Sequence, residues 1–311
     1  MSTIAPEHEH PQQAFGWAAR DTSGILSPFK FSRRATEPED VTIRVFYCRI
    51  CHTDLHFVRN EFGFSVYPLV PGHDIVGIVL EAGSDAKEFK VGNKVGVGCL
   101  VGTCHTCEYC KQSLECLCSK MISTYNSTYS DGTMTYGGYS DKIVVHKRYV
   151  FRIPENLPLN AMLQLFYTGT TVYSPMKYYS HTVPAKHIGA VGLGGLGPVA
   201  VKFAKAFGLK VTVISTSPIS AYHELVPLII LLKPNGKLIL VGAREALSRR
   251  KLIGGGIIGG MKETQEMIDF CFEHNFTAEV EVIKMDYVNT AIERLAKVEA
   301  LYLLNCFKLV E

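Results

Sequence analysis

Four cysteines in the pattern Cys104-x2-Cys107-x2-Cys110-x7-Cys118 constrain the fold of this chain more than any other feature. Thiolates so spaced wrap one tetrahedral Zn²⁺ and leave no coordination position open, which marks a structural rather than a catalytic metal. The alternative is a set of buried free thiols, which seldom falls into so regular a spacing. Eight of the ten cysteines (Cys48, Cys51, Cys99, Cys104, Cys107, Cys110, Cys116 and Cys118) lie in the first 118 residues. No secretion signal precedes them, and in a reducing compartment clustered thiols read as metal ligands before disulfides. The first half is expected to hold metal and the chain to be cytoplasmic. Cys116 is an extra thiol that either competes for the metal or is reactive.

A second constellation is Cys51-His52-Thr53-Asp54-Leu55-His56 followed by Pro71-Gly72-His73-Asp74. A soft thiolate, an imidazole and a carboxylate suit a catalytic zinc with an open position, where the metal polarises an alcohol or carbonyl oxygen. Taken alone, a cysteine and a histidine some twenty residues apart are more often unrelated core residues. The third is Gly192-Leu193-Gly194-Gly195-Leu196-Gly197, set between an apolar strand pattern and a helical one. Glycines there let the backbone turn sharply and approach a pyrophosphate on the helix N-terminus. The next strand ends in Ser215-Thr216-Ser217, without the acidic residue that binds a ribose 2′-hydroxyl, which favours NADP(H) over NAD(H).

The texture of the chain divides accordingly. Up to about residue 165 it is strand-like, with β-branched and aromatic runs at 41–47, 75–80 and 139–145, a β-barrel or sandwich candidate. From 187 it reads strand (187–193), glycine turn, helix (198–207), strand (209–215), a βαβ unit with a parallel sheet. Further on, 225–232 reads as a buried helix, 236–242 as a buried strand, and 261–275 as a helix with Glu263, Glu266 and Asp269 on its polar side. With 311 residues, 47% hydrophobic and 20% charged, the chain is long enough for two cores. No apolar run reaches membrane-spanning length. The net charge of +3 comes from interspersed charges without a basic stripe, so neither a membrane nor nucleic acid is an expected partner.

Cys51-His-Thr-Asp54, Tyr67-Pro-Leu-Val-Pro-Gly-His73, Gly98-Cys-Leu-Val-Gly-x-Cys104, Thr135-Tyr-Gly-Gly-Tyr-Ser140, Gly192-Leu-Gly-Gly-Leu-Gly197 and Gly259-Gly-Met-Lys-Glu-Thr-Gln265 occur in one order. Together they closely resemble the plant cinnamyl alcohol dehydrogenase and mannitol dehydrogenase-like branch of the zinc-dependent medium-chain alcohol dehydrogenases, over residues from about 13 to 297. The resemblance implies an α/β protein: a GroES-like β-barrel domain with two zinc ions (1–166), an NADP(H)-binding Rossmann domain with a doubly wound parallel sheet (167–258) and a return segment (259–311). It also implies an active site in the cleft between the domains, and a homodimer. Residue by residue it makes Cys51 and His73 catalytic-zinc ligands, with Asp74 standing where the family has an occasional fourth ligand, a Glu. It makes Thr53 and His56 a proton relay, Asp54 a carboxylate behind the ligands, and Thr171 a contact near the nicotinamide.

The departures from the family are specific. Tyr167 stands where the second zinc cysteine belongs, and a phenol of pKa near 10 replaces a thiolate poorly. Arg49 replaces a glycine two residues before Cys51, bringing bulk and positive charge toward the metal position. Between Ser217 and Leu225 most of a helix, a strand, another helix and a fourth strand is absent, and a basic residue expected after the Ser-Thr-Ser turn is gone with them. A further piece is missing between Ala243 and Lys251, and the end at 301–307 no longer matches the family's final strands. Ser123 stands where lignin-type members carry a Trp, which points to a broader pocket.

Three functions follow as expectations. The first is an NADP(H)-dependent zinc alcohol dehydrogenase interconverting an allylic or aromatic primary alcohol, of cinnamyl or monoterpenoid type, and its aldehyde. The second is a reductase of iminium or conjugated double bonds that uses NADPH without catalytic zinc. The third is a non-catalytic homologue that keeps only its structural zinc.

Overall fold

The computed structural model describes residues 5–163, 165–192, 194–214, 232, 237–240, 252–255, 258–276, 280–297 and 304–308. The chain divides into two compact units, Met1–Tyr167 with Gly260–Glu311, and Thr168–Gly259. Among the described residues no helix is long and apolar enough to cross a membrane.

The first unit opens with an antiparallel hairpin of β1 (Gln12–Ala19) and β2 (Leu26–Arg33). Alternation in β2 buries Phe29 and Phe31 while Pro28 and Lys30 face outward, the period-two pattern of a half-covered strand. The central strand is β3 (Asp40–Arg49), followed by helix α1 (His52–Val58) and then β4 (Ile75–Ala82), β5 (Lys94–Val97) and β6 (Leu100–Gly102). Next come the single turn α2 (Glu108–Lys111), β7 (Ile122–Ser123), β8 (Lys142–His146) and β9 (Val150–Arg152). β3 pairs with β4 along one edge and shares its other edge between β8 and the last strand of the chain. β3 buries Val41, Thr42, Ile43 and Val45, with Arg44 exposed, and β-branched residues suit such a packed strand. Register shifts at Thr42/Ile43 and Val45/Tyr47 bend it, and Gly77 of β4 passes so close that a Cβ there would lie 2.0 Å from the Arg44 carbonyl.

The expected strand at 139–145 begins only at Lys142. Residues 139–141 turn instead to β1, where Trp17 N–H donates to the Tyr139 carbonyl and Ser140 bridges Gly16. Arg33, buried under them, donates to the carbonyls of Tyr136, Gly137 and Lys142 and to Ser140 Oγ, supplying partners this irregular segment cannot find in a sheet.

The second unit contains helix α3 (Thr170–Tyr178), then β10 (His187–Val191), α4 (Gly197–Ala206) and β11 (Lys210–Ile214), with β10 and β11 parallel as the βαβ pattern predicts. Val199, Phe203 and Ala204 form the buried face of α4, and Phe203 meets the Tyr173 ring of α3 at 5.4 Å. A second parallel pair joins β12 (Lys237–Leu240) and β13 (Leu252–Gly255). Parallel strands are normally covered on both faces, yet Val191 and Val213 remain 48% and 40% exposed. The expected helix at 225–232 lies outside the described residues apart from 232.

The chain then rejoins the first unit through α5 (Met261–Glu273), β14 (Val280–Lys284), α6 (Val288–Ala296) and β15 (Leu304–Lys308). Thr264, Met267, Ile268 and Cys271 form the buried stripe of α5 at helical spacing, with Asp269 exposed. Although 301–307 had ceased to resemble the family's final strands, β15 forms, parallel to β14 and antiparallel to β3. Pairing to a central strand holds it through backbone groups, which tolerate side-chain change.

Candidate metal and cofactor sites

The four-cysteine loop converges as its spacing predicts. Cys104 Sγ lies 3.9 Å from Cys110 Sγ and 3.5 Å from Cys118 Sγ, and Cys107 Sγ lies 3.5 Å from Cys110 Sγ. Zinc–sulfur bonds of about 2.3 Å in a tetrahedron place sulfurs about 3.8 Å apart, so the donor set fits Zn²⁺. Backbone N–H groups of Cys107 and Thr106 draw the Cys104 thiol down to about 6, whereas burial pushes Cys110 up to about 11. Cys116, the extra thiol, is also pushed up by burial, to about 11.

Glu115 anchors this loop. Its carboxylate, 1% exposed, accepts from Arg148 Nε at 2.9 Å and Nη2 at 2.7 Å, and from the Met261 N–H at the start of α5 at 3.1 Å. Gly260, just before that helix, presses on the same loop, since a Cβ there would lie 1.8 Å from the Ser113 carbonyl. The sequence reading missed Glu115, because its two partners, Arg148 and Met261, are 33 and 146 positions away.

The second constellation is assembled by the end of β3, the start of α1 and the residues before β4. Cys51 is the N-cap of α1, and its N–H donates to Asp54 Oδ2 at 2.9 Å. Asp54, fully buried, uses Oδ1 to accept from the Gly72 N–H at 3.0 Å and faces His73 Nδ1 at 3.2 Å. An imidazole held at Nδ1 by a carboxylate has its other nitrogen oriented for a ligand or a thiol. Burial disfavours the charged forms here, but Asp54 holds His73 well above the usual imidazole range, and His73 draws Cys51 below the usual thiol range. Thr53 and His56 lie three residues apart on α1, hence on one face. Thr53 Oγ1 is 3.7 Å from Cys51 Sγ, and His56 Nδ1 is 2.5 Å from Glu61 Oε2 at a partly exposed position.

Asp74 is placed differently from the expectation. Its Oδ2 accepts from Arg49 Nη1 at 2.9 Å, and the two side chains are 1% and 7% exposed. The cause is register: Cys48 stands opposite Ile75 in the β3–β4 ladder, so Arg49 and Asp74 come next to each other at its end, and the Arg49 N–H donates to the Asp74 carbonyl. Among the described residues only the quartet Cys104, Cys107, Cys110 and Cys118 offers three or more donor atoms mutually within 4.8 Å; Cys51, His73 and Asp74 do not. Tyr167 contributes its backbone to the π-helical turn Leu165–Gly169, and its side chain lies outside the described residues. Among the described side chains a catalytic zinc therefore finds no complete donor set at Cys51 and His73.

Beside His73 begins an aromatic cluster that the sequence reading also missed. The Tyr125 ring lies 5.9 Å from His73 and 5.2 Å from Phe57, and Phe57 meets Phe62 and Phe64, which are 47% and 61% exposed.

In the second unit, β10 ends at Val191 and Gly192 turns the chain with φ +86°, a left-handed value that favours glycine. Gly194, Gly195 and Leu196 lead into α4 at Gly197, whose N-terminus has no side-chain cap. Free N–H groups at the start of a ten-residue helix, behind a glycine turn, fit a pyrophosphate. Thr171 is buried in the first turn of α3, after Thr170, whose Oγ1 accepts from the Gly259 N–H. Leu193, Ser215, Thr216 and Ser217 lie outside the described residues.

Comparison with known proteins adds to this geometry. Residues 37–155 match the alcohol dehydrogenase GroES-like domain. A probable mannitol dehydrogenase of Mesembryanthemum crystallinum is 52% identical, over 97% of this chain and 96% of its own length. That alignment runs over 348 positions against 311 residues, so at least 37 positions of the relative have no counterpart here. The structure of a cinnamyl alcohol dehydrogenase from Sorghum bicolor superposes with a TM-score of 0.90 at 42% identity, over 96% of this chain and 98% of that one. A cinnamyl alcohol dehydrogenase of Helicobacter pylori, complexed with NADP(H), gives 0.87 at 34%, with the same two coverages.

Proposed function

Because the chain belongs to the plant mannitol/cinnamyl alcohol dehydrogenase family, we propose that it is an NADP(H)-dependent oxidoreductase interconverting an allylic or aromatic primary alcohol and its aldehyde. The observation that carries this reading is the Cys51–His73–Asp54 constellation with Thr53 beside it. The aromatic cluster from Tyr125 to Phe64 supports the substrate class, since flat unsaturated carbon chains pack well on ring faces and edges. NADPH, when bound, supplies the hydride.

The chain's own residues do the rest. The glycine turn and the α4 N-terminus bind the pyrophosphate, with Ser215, Thr216 and Ser217 as donors to a 2′-phosphate. Thr171 lies against the nicotinamide. In the reducing direction Thr53 gives its hydroxyl proton to the carbonyl oxygen and regains one along α1 from His56, which is exposed enough to take it from water; oxidation of the alcohol by NADP⁺ runs the same relay in reverse. Cys104, Cys107, Cys110 and Cys118 hold one zinc that fixes the loop between β6 and β7. In this reading Met1–Tyr167 with Gly260–Glu311 is the catalytic domain, Thr168–Gly259 the cofactor domain, and the protein a cytoplasmic homodimer.

A second reading is favoured by the Arg49–Asp74 pair: hydride transfer to an iminium or a conjugated double bond, which needs less Lewis-acid assistance. Product analysis separates the two. The purified chain is incubated with NADPH and cinnamaldehyde or geranial. The alcohol as product supports the first reading and the saturated aldehyde supports the second. NADPH that is neither bound nor consumed overturns both and leaves a non-catalytic homologue.

A further inference from the structure

The family resemblance implies a second zinc at Cys51 and His73, and the residues of this chain disagree with it. Asp74, the carboxylate beside those two donors in sequence, holds Arg49 Nη1 at 2.9 Å, with both side chains more than nine-tenths buried. Among the described residues Cys51, His73 and Asp74 do not form a set of three donor atoms all within 4.8 Å of one another, whereas the cysteine quartet does. Among the described residues, one unit thus contains a complete donor set and an incomplete one. We propose that the buried Arg49–Asp74 pair takes the place of the second metal ion, so that the chain binds one zinc, in the cysteine loop, and none at Cys51 and His73.

Side-chain chemistry gives the reason. A guanidinium carries five N–H donors and no acceptor, so it cannot ligate a metal, and it stays protonated throughout the range in which proteins are folded. Its charge repels a dication brought beside it. Asp74 Oδ2 is committed to that charge, and turning it to a metal would leave the guanidinium buried and unpaired, which is strongly unfavourable; only Oδ1, which has no hydrogen-bond partner among the described residues, remains. Nor can the pair retreat. The backbone bond from Arg49 N–H to the Asp74 carbonyl, 3.0 Å, fixes both residues at the same level of neighbouring strands. A metal in this place would bring two positive charges to a bound oxygen, while the ion pair brings none. The inference deepens the second reading above, and its test measures metal rather than turnover, so the two can fail separately.

The full chain is produced with excess zinc and its metal content measured by elemental analysis. The expected result is one zinc per chain, retained in Cys51→Ser and lost in Cys107→Ser. Arg49→Met keeps much of the side-chain length without the charge and releases Asp74. It is expected to take up a second equivalent of Co²⁺, seen as an added thiolate-to-cobalt absorption that disappears when Cys51→Ser is introduced in the same background. Two zinc ions in the unmodified chain, one of them lost with Cys51→Ser, would overturn the proposal. A folded Arg49→Met chain that still takes one metal would overturn it too. If Arg49→Met does not fold, the zinc counts of the unmodified and Cys51→Ser chains decide the matter.

Discussion

His73 Nδ1 lies 3.2 Å from Asp54 Oδ1, and the same carboxylate receives the N–H groups of Cys51 and Gly72, at 2.9 and 3.0 Å. One buried side chain therefore caps a helix, closes the loop before β4 and sets the orientation of an imidazole. Asp54→Ala should leave two buried N–H groups without an acceptor, at about 1 to 3 kcal/mol each. Urea unfolding should show the unfolding free energy falling by that much, with a lower midpoint, and an unchanged midpoint would refute the role assigned to Asp54.

The cysteine loop should depend on its metal. The binding energy of a structural zinc, roughly 10 to 16 kcal/mol in small domains, is largely folding energy. Cys107→Ser should lose zinc and expose the loop between β6 and β7 to protease. Full zinc content with unchanged protease resistance would show that the four thiols are not ligands.

Glu115 should matter to stability although it touches no reacting group. Glu115→Ala removes the carboxylate that accepts from Arg148 Nε and Nη2, leaving Arg148 only the Cys110 carbonyl, and removes the acceptor for the Met261 N–H. Arg148 is 31% exposed and can turn to water, so the expected loss is about 1 to 3 kcal/mol. Thermal unfolding of the zinc-loaded chain measures it. A melting temperature equal to that of the unmodified protein would mean that the loop, β8–β9 and α5 are held together by other contacts.

In the proposed reading the hydroxyls of Ser215, Thr216 and Ser217 set cofactor preference. Each hydroxyl contributes about 0.5 to 1.5 kcal/mol to a phosphate it reaches, so NADPH should bind more tightly than NADH, by a modest factor without a basic partner. Titration calorimetry with the two cofactors decides this, and tighter binding of NADH would reverse the assignment.

Much of the site was legible because its signals are local. The cysteine ligands lie within fifteen consecutive positions, counted from Cys104 to Cys118, and α2 and its flanking turns are enough to bring them together. The glycine turn is likewise a short stretch between β10 and α4, set by backbone freedom and helix geometry. The stripe at Thr264, Met267, Ile268 and Cys271 is a periodicity within one helix. By contrast, the start of β8 was read three residues early, because 139–141 find their partners in β1, more than 120 positions away.

The sequence by itself determined which donors exist: four thiolates at metal spacing, a Cys51–His73 pair, and an arginine and a tyrosine where the family has a glycine and a cysteine. Only the tertiary structure decided what those donors face. Strand register is set by which β-branched faces bury together, and it put Arg49 beside Asp74, 25 positions apart, turning an expected ligand into half of an ion pair. Chain return did the same for Glu115, which waits 146 positions for the Met261 N–H at the start of α5. Ligand spacing within one loop is a property of bond lengths and turns. Partnership across strands is a property of the whole core, because each buried charge must be matched by whichever group packing delivers to it.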